Sequence, residues 1–226
     1  MAATGTALLE LRKVSFAASD GVLRLSDLDL TLHQGERVAI LGGEGVGKSL
    51  LMRVMAGLHP LARGEIRLEG KRLEEWPVAE RAARLGVLFD EAGRRFLASR
   101  VEEEISLAAA ARGLAAEALQ QRLIGALHTA GLPLTCLQRP VMELSSAFQA
   151  RVALAGVLMA RPALLLADEP GARLDTAGEE AWARNLAALS AESGLALLIF
   201  TSREERARRF AAHLVHPAWL RTQDAL

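Results

Sequence analysis

Leu23, Leu25, Leu28, Leu30 and Leu32 nearly alternate with polar positions, the period-two pattern of a half-buried antiparallel strand. Val38-Ala39-Ile40-Leu41 is continuously apolar instead, which fits a strand covered on both faces, as in parallel sheets flanked by helices. A glycine-rich turn leads from it into residues 48–58, where Leu51, Val54, Met55 and Leu58 recur at helical spacing. Residues 64–73 predict a short strand pair and 85–89 a second buried strand. Residues 101–132, rich in Ala, Glu and Leu, predict helix broken near Gly113, and 146–160 a long helix stopped by Arg161-Pro162. A third apolar strand at 163–167, a helix at 176–193 and a fourth strand at 195–201 complete the pattern. Strands alternating with helices imply an α/β fold with a mainly parallel sheet. Residues 101–143 lie between two core strands and are long enough for a separate helical lobe. The chain shows no internal repeat.

Composition narrows the field. Of 226 residues 51% are hydrophobic, and 27 Lys+Arg balance 27 Asp+Glu. That is a core-forming, neutral chain, a poor fit to nucleic-acid binding through many phosphates or to a polybasic membrane-surface binder. The single cysteine, Cys136, has no internal disulfide partner and reads as a small buried hydrophobe in a reducing compartment. Residues 1–11 contain Glu10 and no long apolar core, so no signal peptide is expected. The longest apolar stretch, 152–167, is split by Arg161-Pro162, so any membrane role must come through a partner. There are three lysines, Lys13, Lys48 and Lys71, and no tyrosine.

Gly42-Gly43-Glu44-Gly45-Val46-Gly47-Lys48-Ser49 fits the phosphate-loop pattern of Gly, four residues, Gly-Lys-Ser, in the required place between a buried strand and a helix. Glycines let backbone N–H groups converge on phosphates, the helix N-terminus adds partial positive charge, Lys48 supplies an ammonium and the Ser49 hydroxyl suits Mg²⁺. Leu164-Leu165-Leu166-Ala167-Asp168-Glu169-Pro170 is an apolar strand ending in two carboxylates. In a phosphate-loop protein the first serves the metal and the second polarises the attacking water.

With these motifs the chain resembles the ATP-binding subunit of ATP-binding-cassette (ABC) transporters over nearly its whole length. The resemblance includes Walker A at residues 42–49 with Leu50 after it, Walker B with Asp168 and Glu169, Leu174-Asp175 as the D-loop, Gly64-Glu65-Ile66, and Arg151-Val152-Ala153-Leu154-Ala155. Residues 96–105, from Phe96 to Ile105, resemble the segment after the Q-loop in energy-coupling-factor ATPases, which drive uptake of vitamins or of cobalt or nickel. The family implies a P-loop NTPase fold with one ABC ATPase domain over 1–226. Residues 1–90 and 163–226 would form a RecA-like core with an antiparallel β subdomain, and about 91–162 a helical subdomain. It also implies ATP and Mg²⁺ as cofactors, bound in a head-to-tail dimer between one chain's Walker A and the other's signature, and a membrane permease docked near the Q-loop. The expected location is the cytoplasmic face of the inner or cell membrane, as a peripheral subunit.

Four departures touch the nucleotide. Asp90 replaces the Q-loop glutamine; a carboxylate still ligates Mg²⁺, so the metal set is Ser49, Asp90 and Asp168. The signature reads Leu144-Ser145-Ser146-Ala147-Phe148: Ser145 retains a donor for the γ-phosphate, whereas both glycines, which permit close backbone approach, have gained a Cβ. Ser202 stands where the switch histidine is expected, and losing a positioned donor at such a site costs roughly 10²–10³-fold in rate. The adenine-stacking aromatic expected near residue 18 is missing, since Phe16 falls on the buried parity of its strand. The catalytic set is therefore Glu169, Lys48 and Ser202. The nucleotide set is Gly42, Gly43, Glu44, Gly45, Val46, Gly47, Lys48, Ser49, Leu50, Ser145 and Asp175.

This pattern points to an energising subunit that binds Mg·ATP and hydrolyses it slowly, paired with a second ATP-binding subunit, a heterodimer being favoured over a homodimer. The alternative is a non-catalytic ABC module that clamps a membrane complex by binding ATP. A soluble two-cassette ATPase of translation or DNA repair is disfavoured, because neither a second cassette nor a long coiled-coil insertion is present. Elsewhere the readings are structural. Arg206, Arg208 and Arg209 form a solvated helix face, Trp76, Trp182 and Trp219 pack, and His213 and His216 fall on opposite sides of a strand with no metal-ligand spacing.

Overall fold

The computed structural model describes residues 7–17, 23–90, 96–110 and 116–216. Trp219, Ala18 and the helix break near Gly113 lie outside the described residues. Two sheets organise the chain. Strands β1 (Ala7–Ala17), β2 (Leu23–His33), β4 (Arg63–Leu68) and β5 (Lys71–Arg72) form an antiparallel sheet in the order β2-β1-β4-β5. Strands β3 (Arg37–Leu41), β6 (Leu85–Leu88), β7 (Leu164–Asp168), β8 (Ala196–Thr201) and β9 (His213–Val215) form a parallel sheet in the order β6-β7-β8-β3-β9.

The continuous apolar runs are explained by the period of two. In β8, Leu197 and Ile199 face one core, while Ala196, Leu198 and Phe200 face the other. Strand β7 divides likewise, Leu165 and Ala167 against Leu164 and Leu166. The first core lies toward α3 (Val101–Ala110), α4 (Ala116–Ala130), α5 (Ser146–Met159) and α6 (Thr176–Ser193) and includes Ile105, Leu127, Val152 and Trp182. The second is built with α1 (Lys48–Met55) and the antiparallel sheet and includes Leu9, Phe16, Met52, Met55 and Ile66. Helix α2 (Val78–Arg84) leads into β6, and α7 (Glu204–Phe210) joins β8 to β9.

Helix ends follow local chemistry. Asp175 caps α6 by accepting from the Gly178 N–H at 2.8 Å, and Gly194, at φ 74°, ends it. Helix α1 stops at Met55, three residues before the apolar pattern ends. Gly57 takes φ 68°, and the Leu58 N–H reaches back to the Arg53 carbonyl at 2.7 Å, a glycine-terminated cap that turns Leu58 out to 61% exposure. Trp182 packs as expected, with its Nε1 donating to the Ala130 carbonyl at 2.9 Å. Half-buried Trp76 donates to the Leu68 carbonyl. Strand β9 ends at Val215, so His216 lies just beyond it, and both His213 and His216 are exposed.

Candidate functional site

Parallel register sets the site. Leu41 pairs with Thr201 and Asp168 with Phe200, so β3, β7 and β8 finish together, at the carboxyl edge where open α/β sheets place their ligands. The Gly42 N–H donates to the Thr201 carbonyl at 3.1 Å, joining the loop after β3 to the end of β8. Gly45 and Gly47 hold φ 75° and 96°, which turns the loop tightly into α1. Inside that loop the Lys48 ammonium donates to the carbonyls of Gly42 at 2.7 Å and Gly43 at 2.6 Å. Burial holds the ammonium's pKa below its ordinary value despite the pull of Glu169, Asp168 and Glu44.

Ser49 donates its hydroxyl to the Asp168 carboxylate. Asp168 is buried, and that burial, with the charges of Glu169 and Asp90 nearby, outweighs Ser49 and Lys48 and raises its carboxyl pKa. A buried carboxylate beside a hydroxyl and a second carboxylate is a hard-oxygen set that fits a divalent cation, whose charge would relieve the crowding. Among the described residues no group of three or more His, Cys, Asp and Glu side chains forms a metal cage. Mg²⁺ here would depend on Ser49, Asp168, Asp90 and oxygens of its own nucleotide.

Glu169 adopts φ 45°, the left-handed region uncommon for non-glycine residues, with its N–H donating to the Phe200 carbonyl at 2.8 Å. Its Oε1 accepts the Ser202 N–H at 2.6 Å and the Ser202 hydroxyl at 2.9 Å; its Oε2 accepts Thr201 Oγ1 and Arg206 Nη1, both at 2.7 Å. Burial alone would push this carboxyl up, but the four donors together hold it below its ordinary range. Glu44, Lys48, Ser49, Asp90, Asp168, Glu169 and Ser202 line one cavity of about 990 Å³, whose further wall includes Phe96, Leu97, Leu107, Val152 and Val157.

The ABC transporter family profile matches residues 25–172. The chain belongs to the ABC transporter family. It is 32% identical over 177 residues, 78% of this chain and 54% of the other, to a putative ABC transporter ATP-binding protein of Methanosarcina acetivorans. It is 30% identical over 196 residues to the energy-coupling factor transporter ATP-binding protein EcfA1 of Enterococcus faecalis, covering 86% of this chain and 70% of that one. The chain spans about half or less of the length of the first curated relatives it matches. Among solved structures, cbiO1 from Clostridium perfringens, part of the ABC transporter complex cbiONQ, superposes with a TM-score of 0.82 at 26% identity, covering 92% of this chain and 84% of that one. The dimeric bacterial ABC transporter cassette MJ0796 gives 0.82 at 23% identity, covering 92% and 93%, and carries the fold alone. The α/β P-loop fold expected from the sequence is therefore the fold of this ABC transporter chain.

The remaining sequence-derived residues fall in distinct places on this ABC cassette. Ser145 caps α5, accepting from the Phe148 N–H at 3.4 Å, and Asp175 caps α6; neither lines the cavity. Asp90 is exposed, and both its carbonyl and its carboxylate face Arg173, at 3.0 and 3.7 Å from Nε. Phe16 is wholly buried, as strand parity predicts. The arginine cluster requires a correction. Arg208 is solvated and pairs with Glu204, but Arg206 is 5% exposed and clamps Glu169 and Glu179, so the three arginines are not one solvated face. Ala207 and Phe210 fix the buried side of α7, and Arg206, four residues before Phe210, shares it. That spacing was the available signal. Thr201, Arg173 and Glu179 carried no motif of their own.

Proposed function

We propose that this chain is the ATP-binding subunit of a membrane ABC transporter, of the energy-coupling-factor type that takes up a vitamin or metal ion. The observation that carries this reading is the meeting of Lys48, Ser49, Asp168 and Glu169 on one cavity at the carboxyl edge of the parallel sheet. Residues 42–50 cradle the phosphates of ATP through backbone N–H groups, and Lys48 exchanges its two loop carbonyls for phosphate oxygens. Mg²⁺, when bound, would neutralise phosphate charge. Ser49, Asp168 and Asp90 hold that ion, Glu169 polarises the attacking water, and Ser202 orients the γ-phosphate end more weakly than a histidine would.

In this reading residues 1–226 act as one ABC domain, with 91–162 as its helical part. Ser145 and Asp175 serve the nucleotide across a head-to-tail interface with a second ATP-binding subunit. The cavity wall bearing Leu97, 88% exposed, receives the membrane permease. No described helix is long and apolar enough to cross a membrane, and in this reading the permease is what brings the subunit to the membrane. A non-catalytic clamp is the second reading, favoured by the full set of donors on Glu169 and by a signature without glycine.

Transport by the reconstituted complex separates the two. Glu169→Gln should abolish transport while leaving Mg·ATP binding intact if hydrolysis powers the cycle; transport that survives the substitution supports the clamp. Turnover by the isolated chain at tens per second would contradict slow hydrolysis.

A further inference from the structure

Glu169 has no lone pair to spare. A carboxylate offers about four acceptor positions, and the two from Ser202, one from Thr201 and one from Arg206 account for them. The hydroxyl donors reorient by simple rotation about their side-chain bonds. Arg206 does not, because its guanidinium is anchored from behind: Nε and Nη2 fork onto the Glu179 carboxylate at 3.2 and 3.4 Å. Glu179 is itself buried on α6, and Arg209 reaches it with Nη1 at 3.3 Å. Releasing Glu169 by turning Arg206 would sacrifice the fork and take a charged partner from the buried Glu179 and the half-buried Glu169 alike. The short Ser202 side chain precedes Arg206 by four residues, and Arg206 is the cation that reaches Glu169 from α7.

We infer that Arg206 is a positioning residue that restrains Glu169, holding the carboxylate away from an attacking water so that the chain retains ATP without efficient turnover. The inference rests on the reading above, in which Glu169 is the water-polarising group. The restraint is built from α6 and α7. Turnover therefore depends on opening the Arg206–Glu169 contact rather than on filling the cavity alone.

The test is steady-state ATP hydrolysis by the full chain with Mg·ATP, beside calorimetric binding of Mg·ATP. Arg206→Gln is combined with Glu179→Gln so that no buried charge is orphaned. The double variant should raise kcat roughly ten-fold, a fraction of the 10²–10⁴-fold that a positioned base contributes, with KM unchanged. Adding Glu169→Gln should erase the gain. An unchanged or lower kcat at unchanged KM would overturn the restraint while leaving the functional reading intact. A gain that survives Glu169→Gln, or wild-type chain that binds no Mg·ATP, would overturn the functional reading and the restraint with it. If the double variant fails to fold, Arg206→Lys serves in its place, since one ammonium does not span both carboxylates; a rise in kcat supports the restraint and no rise overturns it.

Discussion

Arg173 donates its Nε to the main-chain carbonyl of Asp90 at 3.0 Å, tying the turn after β7 to the end of β6. The same nitrogen lies 3.7 Å from the Asp90 carboxylate. The residue standing where a glutamine is expected is thus met by a cation from the turn that follows the two catalytic-type carboxylates. Because both side chains are solvent-accessible, Arg173→Ala should cost less than about 1 kcal/mol in urea unfolding. Its larger effect should fall on ATP affinity measured without Mg²⁺, since the freed Asp90 charge would then press on the phosphates with no cation between them. Calorimetry with and without Mg²⁺ measures that difference, and equal losses in both conditions would argue against it.

Lys48→Met should weaken ATP binding at least about ten-fold, or 1.4 kcal/mol, because the methionine keeps the apolar stem but not the ammonium. The melting temperature should move by no more than about 4 °C, since the bonds lost are two contacts to loop carbonyls. A calorimetric titration paired with a thermal scan checks both.

Gly64 occupies φ 90°, and a Cβ there would sit 2.3 Å from the Lys13 carbonyl oxygen. The obstacle is backbone, in a stretch where β1 and β4 already shift register between Arg12 and Ser15. Gly64→Ala should therefore destabilise the chain by at least about 2 kcal/mol, read as a lower urea midpoint. A midpoint matching wild type would show that the strand pair yields.

Burial raises the Cys136 thiol above its ordinary value of 9.0. A group whose folded pKa is raised favours the folded state at pH below its unfolded value and loses that contribution as pH rises through the folded one. Stability should accordingly fall above about pH 9, and Cys136→Ala should remove that alkaline component. At pH 8 a thiol reagent should label the native chain only as fast as it opens; immediate labelling would contradict the buried, protonated thiol.

Much of the fold was legible because the central strands announce themselves: Val38 to Leu41 and Leu164 to Ala167 are apolar without interruption, which only a doubly covered strand tolerates. The phosphate loop and the Asp168-Glu169 pair were legible because their chemistry is contiguous in sequence. Arg206 and Arg173 were not, because their partners Glu169 and Asp90 lie far away along the chain and meet them only once the sheet has formed. A charged residue near an apolar stripe reads as solvated unless something buried needs its charge. The end of α1 was misjudged for a local reason, as Leu58 continues the apolar spacing while Gly57 has already reversed the backbone.

Strand β3, which carries the phosphate loop, pairs with β8 and β9; Arg37 lies beside Leu197, and Val38 beside His213. Its neighbours in sequence, β1 and β2, pair in the other sheet. During folding the β1–β2 hairpin closes a short loop, whereas β3 must wait for residues beyond 195 to arrive, a closure of high contact order. On the ribosome, the loop meant for ATP is therefore among the last parts of the chain to acquire its shape, and a nascent chain halted before β8 would carry the whole phosphate-loop sequence with no sheet to hold it.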